Sequence, residues 1–293
     1  MHFLLLQGAP DPLAAFYPSL TPAAASPTSA YPVFRTFCIA HATAIRHLLT
    51  TRRVQTNEVG RCAYLFPAFA LVARLADERP LGLIEIGTSA GLNLLWDQYG
   101  YQYGQDAVYG DPHSAVQITC TLRGANRPPF PHRMPQVARR VGVDLHVVDL
   151  GNADEVLWLQ ALVLPEHRER AQMLRHAIEL TRHNPPQLLS GDGLVGLPDL
   201  LHTMPEEVAV CAFHTHTLNQ WSVEARDGFA TLLAEYGATR ELYRISAEGL
   251  GRAYPHLELT AWHQGQADQR LLGYCHHHGQ WLEWLDRSMG KDA

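Results

Sequence analysis

Three features of the sequence point to an α/β fold. From residue 81 onward, short apolar runs alternate with helical stretches of about ten or more residues. A glycine-bearing turn, Gly87-Thr88-Ser89-Ala90-Gly91, stands where the first apolar run hands over to a helix. The first 80 residues carry helical patterning and no strand signal.

Taken in order, residues 8–32 contain Pro10, Pro12, Pro18, Pro22, Pro27 and Pro32, which break every helical register and predict an extended arm with short turns. Helices are expected over 34–49 and 57–76, where apolar residues recur at helical spacing. Asn57 followed by Glu58 reads as a helix start, with a capping side chain and early negative charge. Residues 1–80 are thus expected to form an arm and a helical cap, and 81–293 the core.

In the core, Leu83-Ile84-Glu85-Ile86 is the first strand and 92–99 the helix after it. Further strands are expected at 144–148, 187–189, 208–213 and 242–245, with helices at 165–182, 196–202 and 223–236. This alternation implies a parallel sheet. Residues 257–263 and 271–277 flank Gln264-Gly265-Gln266 and predict a C-terminal antiparallel hairpin. Residues 100–140, rich in Gly and Pro, read as an insertion.

The chain has 293 residues and a net charge of -6. An acidic chain without basic runs has no electrostatic footprint for nucleic acid. Five cysteines lie far apart without a C-x-x-C pair, which fits a reducing cytoplasm and no cysteine-based metal site. No run approaches the ~18 apolar residues of a membrane span. A cytoplasmic protein with a small-molecule substrate is expected, with no metal and no membrane partner.

Glycines at 87 and 91 allow a tight turn and close approach of a ligand to the backbone. Free N–H groups at the following helix start would favour an anion. Three readings compete. Glu85-x-Gly87-x-x-x-Gly91 suits S-adenosylmethionine, whose ammonium group an acidic residue at 85 would complement. A dinucleotide loop would need a glycine at 89, where Ser stands. Gly87-x-Ser89-x-Gly91 also spells a serine-hydrolase nucleophile elbow, with Asp192 and then His214 or His263 in that family's chain order. An elbow normally follows several strands, whereas only helices precede this one, and it leaves Glu85 unexplained. A binding module without chemistry is the remaining alternative.

The runs Gln55-Thr56-Asn57-Glu58-Val59-Gly60-Arg61-Cys62, Glu85 to Asp97 and Leu189-Ser190-Gly191-Asp192 resemble a bacterial family catalogued as domain of unknown function 2332. The similarity covers about residues 30–285, and the N-terminal arm looks shorter or more irregular than in the family. That family resembles class I methyltransferases, which implies a Rossmann-like methyltransferase sheet and S-adenosylmethionine as cofactor.

The cofactor set expected on this basis is Glu85, Gly87, Thr88, Ser89, Gly91, Asn93, Asp149, Asp192 and Gly193. In class I methyltransferases, acidic residues after the second and third strands hold the ribose and the adenine amine. Asp149 and Asp192 match by order, with Asp144 competing for the ribose; a plain turn or cap role is the alternative for both. Asn57, Glu58 and Arg61 form a polar group at the cap helix start, read as facing the site or as simple capping. His214 and His216 end the fourth strand and, by alternation, share a face; a neutral imidazole there reads as a general base or substrate contact, with a structural histidine or a metal ligand as the alternatives. His276-His277-His278 reads as a solvated edge, and Asn184-Pro185-Pro186-Gln187 as a helix stop. The terminal Trp281-Leu282-Glu283-Trp284 run reads as core or as a homodimer contact.

Overall fold

The structure, a computed structural model, describes residues 1–105 and 108–287. Positions 106–107 of the expected insertion and 288–293 of the expected core lie outside the described residues.

The first 80 residues form α1 (His2–Leu6), α2 (Tyr31–Ala40), α3 (Ala42–Thr51) and α4 (Cys62–Leu75), with short turns at Pro12–Phe16 and Pro27–Ser29. The single helix expected over 34–49 is two helices broken at His41. The expected extended arm folds back instead: Leu5, Leu13 and Phe37 make a small cluster of their own. A larger correction concerns α4. It is apolar all round, and every residue from Cys62 to Ala73 is buried. A helix with no polar face is a core helix, so α4 belongs to the core and not to a cap.

The strands are β1 (Leu81–Ile86), β2 (Gly100–Tyr103), β3 (Val108–Gly110), β4 (Gln117–Arg123), β5 (Val137–Asp144) and β6 (Gln187–Ser190). After them come β7 (Ala209–Thr215), β8 (Leu242–Glu248), β9 (His256–His263), β10 (Gln266–Cys275) and β11 (Trp281–Trp284). Helices α5 (Ala153–Ala161) and α6 (Arg168–His183) lie between β5 and β6, α7 (Gly193–Thr203) precedes β7, and α8 (Val223–Gly237) precedes β8.

All eleven strands join one sheet, in the order β3-β2-β4-β11-β10-β9-β8-β7-β1-β5-β6. The five strands β6-β5-β1-β7-β8 are parallel; β8 to β11 form an antiparallel meander. The expected hairpin is therefore the middle of that meander. The chain runs outward from β1 through β5 to β6, then returns to place β7 on the other side of β1. Such a reversal opens a crevice at the carboxyl ends of the two central strands.

β1 is buried on both faces, as a central parallel strand must be. Leu81 and Leu83 pack with α4, while Ile84 and Ile86 pack toward α7 and α8. Two expectations move. The second parallel strand is 137–144, not 144–148, because Arg139 and Arg140 mask its apolar alternation in the sequence. Arg140 is held by Asp97 at 2.5 Å and the Leu94 carbonyl at 3.0 Å. The segment after the glycine turn is a 3-10 stretch, Leu92–Gln98, rather than an α-helix. The Tyr99 and Tyr101 hydroxyls donate to the Leu92 and Trp96 carbonyls of this segment. The insertion carries β2–β4 and extends the sheet beyond β11. Trp281 and Trp284 are buried there, so these two side chains belong to the core.

Candidate functional site

The β1–α turn is built on three left-handed residues, Gly87, Ser89 and Gly91. Ser89 is the costly one, since a left-handed L-residue is disfavoured by about 1–2 kcal/mol. Its N–H donates to Asp144 Oδ2 at 2.9 Å, which offsets part of that cost. The rest of the turn is equally occupied. Gly87 and Thr88 N–H point to the Val143 carbonyl, Gly91 N–H to the Thr88 carbonyl, and Ala90 and Leu92 N–H to Asn57 Oδ1. The anion cradle expected from the glycine pattern is thus already filled by the protein itself. Asn57 caps the turn and not its own helix.

Glu85 lies beneath the turn, only 2% exposed. Its carboxyl accepts from Thr88 Oγ1 at 2.7 Å and from Asn93 Nδ2 at 3.3 Å. Burial pushes its pKa up to about 8, against the opposing pull of those hydrogen bonds. Glu85, Thr88 and Asn93 form an internal polar network below the site, and Gly91 packs against Pro186 and Leu188. None of the four lines the cleft above.

That cleft, about 500 Å³, opens at the carboxyl ends of β1, β5 and β7, within the roughly 300–1,000 Å³ range of small-molecule sites. Its floor is Ile86, Gly87 and Ser89; one wall is Val143, Asp144 and Leu145, another Asp192, Gly193 and Leu194, and a third Thr215, His216 and Thr217. The α3–α4 linker, residues 53–56, straps the mouth. Gln55 Nε2 donates to the His146 carbonyl at 2.9 Å, and Trp158 Nε1 to the Arg53 carbonyl at 2.8 Å.

Several expected residues meet here. Arg61 is 9% exposed and donates to the Thr215 carbonyl, Thr215 Oγ1 and the His277 carbonyl at 3.2–3.3 Å. Among the described residues no carboxylate forms an ion pair with it. A buried guanidinium held only by neutral oxygens keeps most of its attraction for an anion. Ser89 Oγ and His216 Nε2 are both buried without a partner, and both residues line the cleft. Burial and the Arg61 charge press the His216 pKa down to about 4, so the ring is neutral near pH 7.

Asp144 and Asp149 separate cleanly. Asp144 ends β5 on the cleft wall. Asp149 sits in an exposed turn away from it, its Oδ1 accepting from Gly151 N–H at 2.8 Å. The sequence order pointed to Asp149 because the strand was placed too late. Asp192 lines the cleft while capping α7 through Leu194 N–H at 2.8 Å.

His214 departs from expectation. It is fully buried, with Nδ1 2.8 Å from Glu248 Oε1 and Nε2 accepting from Arg244 Nε at 3.0 Å. Arg244 can only donate, so the hydrogen of neutral His214 sits on Nδ1. With both nitrogens engaged, His214 cannot act as a general base on a substrate. Nor do His214 and His216 share a face: β7 ends at Thr215 and His216 is left-handed, which turns its ring toward His277. His214 instead packs on Phe229. Glu58 likewise points away from the cleft, paired with Arg170 and with His278 at 3.3 Å. Burial opposes ionisation of Glu58, but those two partners outweigh it and lower the pKa.

Sequence reading missed Glu248, which accepts from His214, Thr217 N–H and Leu218 N–H and so fixes the loop carrying His216. It also missed Trp221 and His277, since the histidine triplet falls in the β10–β11 turn beside the cleft rather than on a free edge. Gln55 and Thr56 were the one available signal for the strap.

A family model described as "Uncharacterized protein conserved in bacteria (DUF2332)" matches residues 1–284. The chain belongs to this family. The match takes in the N-terminal arm, so the arm is part of the family pattern rather than a departure from it. No curated protein and no solved structure matches the chain. Among the described residues, no helix is long and apolar enough to cross a membrane, and no group of three or more His, Cys, Asp or Glu side chains is placed to hold a metal ion.

Proposed function

We propose that this family member binds S-adenosylmethionine in the β1/β5/β7 cleft and transfers its methyl group to a small acceptor. The observation that carries the reading is Asp144. It ends the parallel strand next to β1, on the wall of a cleft that also holds the carboxylate-free cation Arg61. A carboxylate there would accept two ribose hydroxyls, and Arg61 would pair with the amino-acid carboxylate. Asp192 would take the adenine amine, and Trp221 and Leu145 supply apolar walls.

When bound, the cofactor supplies a methyl group activated by its sulfonium. The chain contributes position, exclusion of water under the 53–56 strap, and one neutral imidazole for hydrogen bonding to an acceptor O–H or N–H. Glu85 has no direct part in this reading, because it is buried beneath the turn.

Serine hydrolysis is less well supported. Ser89 Oγ has no histidine partner. The N–H of Ala90, the residue after the nucleophile that an elbow uses as oxyanion donor, is occupied by Asn57.

Calorimetric titration with S-adenosylmethionine and its demethylated product tests the reading on wild type and Asp144→Ala. Saturable binding that weakens at least tenfold in the variant, about 1.4 kcal/mol, is expected. Absence of binding to both compounds overturns it, and covalent labelling of Ser89 by a fluorophosphonate would revive the hydrolase.

A further inference from the structure

We infer that the acceptor carries an oxyanion, a carboxylate or a phosphate, and that it binds in a second groove continuing the cleft past His216. This deepens the proposed function and rests on it for the neighbouring methyl donor. The groove has a volume of about 510 Å³ and lies between the start of α8 and the β8–β9 turn. Its lining includes Asn219, Arg226, Leu250, Gly251, Arg252 and His277, and no carboxylate.

Continuity with the first cleft is direct. The His216 and His277 rings stand 5.2 Å apart, one lining each cavity. Arg61, on the wall of the first, holds the His277 carbonyl of the second. Gln220 and Ala225 line one side of this boundary, Asn219 and Arg226 the other. An acceptor anchored in the groove would therefore present its far end to the unpartnered Nε2 of His216.

The chemistry of the groove selects an anion. In a chain of net charge -6, two guanidinium groups share one groove. Among the described residues neither forms an ion pair with a carboxylate; Arg226 spends only Nε, on the Ser222 carbonyl at 3.3 Å. Guanidinium forks match carboxylate and phosphate oxygens in geometry. The loop opposite is built and held. Leu250 is left-handed at φ 46, and its N–H is fixed by Asn219 Oδ1 at 2.6 Å. At Gly251, one of the lining residues, nothing stands within 4 Å of the place a Cβ would occupy, so a ligand can approach the backbone there.

The test titrates inorganic phosphate and succinate, at fixed ionic strength, into wild type and the Arg226→Met/Arg252→Met double variant. Binding is followed by calorimetry and by the His277 ring proton resonances. Saturable binding of at least one probe, weakened tenfold or more in the variant, is expected, while S-adenosylmethionine affinity stays unchanged. Response to phosphate alone assigns a phosphorylated acceptor; response to succinate alone assigns a carboxylic acid. The inference is overturned if neither probe saturates, or if the variant binds them as wild type does. Arginine-dependent anion binding without any S-adenosylmethionine binding would remove the methyl donor and leave the oxyanion site standing.

Discussion

The side chain of Asn57 occupies the backbone N–H of Ala90: Oδ1 lies 3.3 Å from that nitrogen and 3.2 Å from that of Leu92. A residue from the helical N-terminal region thereby closes the glycine turn of the sheet. Both N–H groups belong to residues with no solvent exposure. Asn57→Ala should destabilise the fold by about 2–4 kcal/mol, since each buried donor left unpaired costs about 1–3. Urea unfolding measures it, and a loss below about 0.5 kcal/mol would show that water or a rearranged turn replaces the cap.

Glu85 sets an unusual pH dependence. Its carboxyl ionises near 4.5 when exposed and near 8 when folded. Between those values the folded state holds the extra proton, so this contribution is complete below pH 4.5 and is lost as pH rises toward 8. Glu85→Gln keeps an acceptor for Asn93 and a donor for Thr88 without the ionisation. Its stability should therefore hold from pH 6 to 9, where wild type declines. Parallel curves for the two proteins in thermal melts would refute the assignment.

His214 and His216 act in the opposite sense. Burial lowers the pKa of His214 and that of His216, the latter to about 4, from an ordinary 6.5. Below pH 6.5 the unfolded chain takes up protons that the folded chain refuses, so stability falls as pH drops from 6.5 toward 4. Glu248 also has a lowered pKa: burial opposes its ionisation, but the His214 hydrogen bond and the loop N–H donors prevail. Its contribution is present above the ordinary value of 4.5 and fades below it. Histidine NMR titration should find the His216 ring neutral at pH 6, and the hydrogen of neutral His214 on Nδ1.

Gly142 tests the β1–β5 register. It stands opposite Glu85, and a Cβ there would collide with the Thr88 side chain. Thr88 is itself fully buried and bonded to Glu85, so it has no room to give way. Gly142→Ala should cost about 1–3 kcal/mol by overpacking. A neutral effect in denaturant melts would mean that the strand pairing differs.

Much of the fold was legible because its signals are local. Apolar runs at 83–86, 187–189 and 242–245 fall within observed strands, that at 208–213 does so from Ala209 onward, and Ser222 caps α8 at Ala225 N–H as a helix start should. Strand β5 was illegible because Arg139 and Arg140 break its alternation and find their partners only in three dimensions. Strands β2 to β4 are short, and the partner that places them, β11, lies 158 or more residues further on, as Thr121 opposite Trp281 and Leu282 opposite Leu122 illustrate.

For the site, local patterning was enough to locate the glycine turn at the end of β1, the acidic residues near the ends of the next strands, and the polar group Asn57, Glu58 and Arg61. Tertiary structure alone decided which way each of them points. It sent Glu85 under the turn, gave Asn57 to the turn's own N–H groups, placed Asp144 rather than Asp149 on the cleft, and parted His214 from His216 through one left-handed residue. The physical reason is the same in each case. A polar side chain's role follows from the partner that satisfies it, and these partners stand 2 to 216 residues away along the chain.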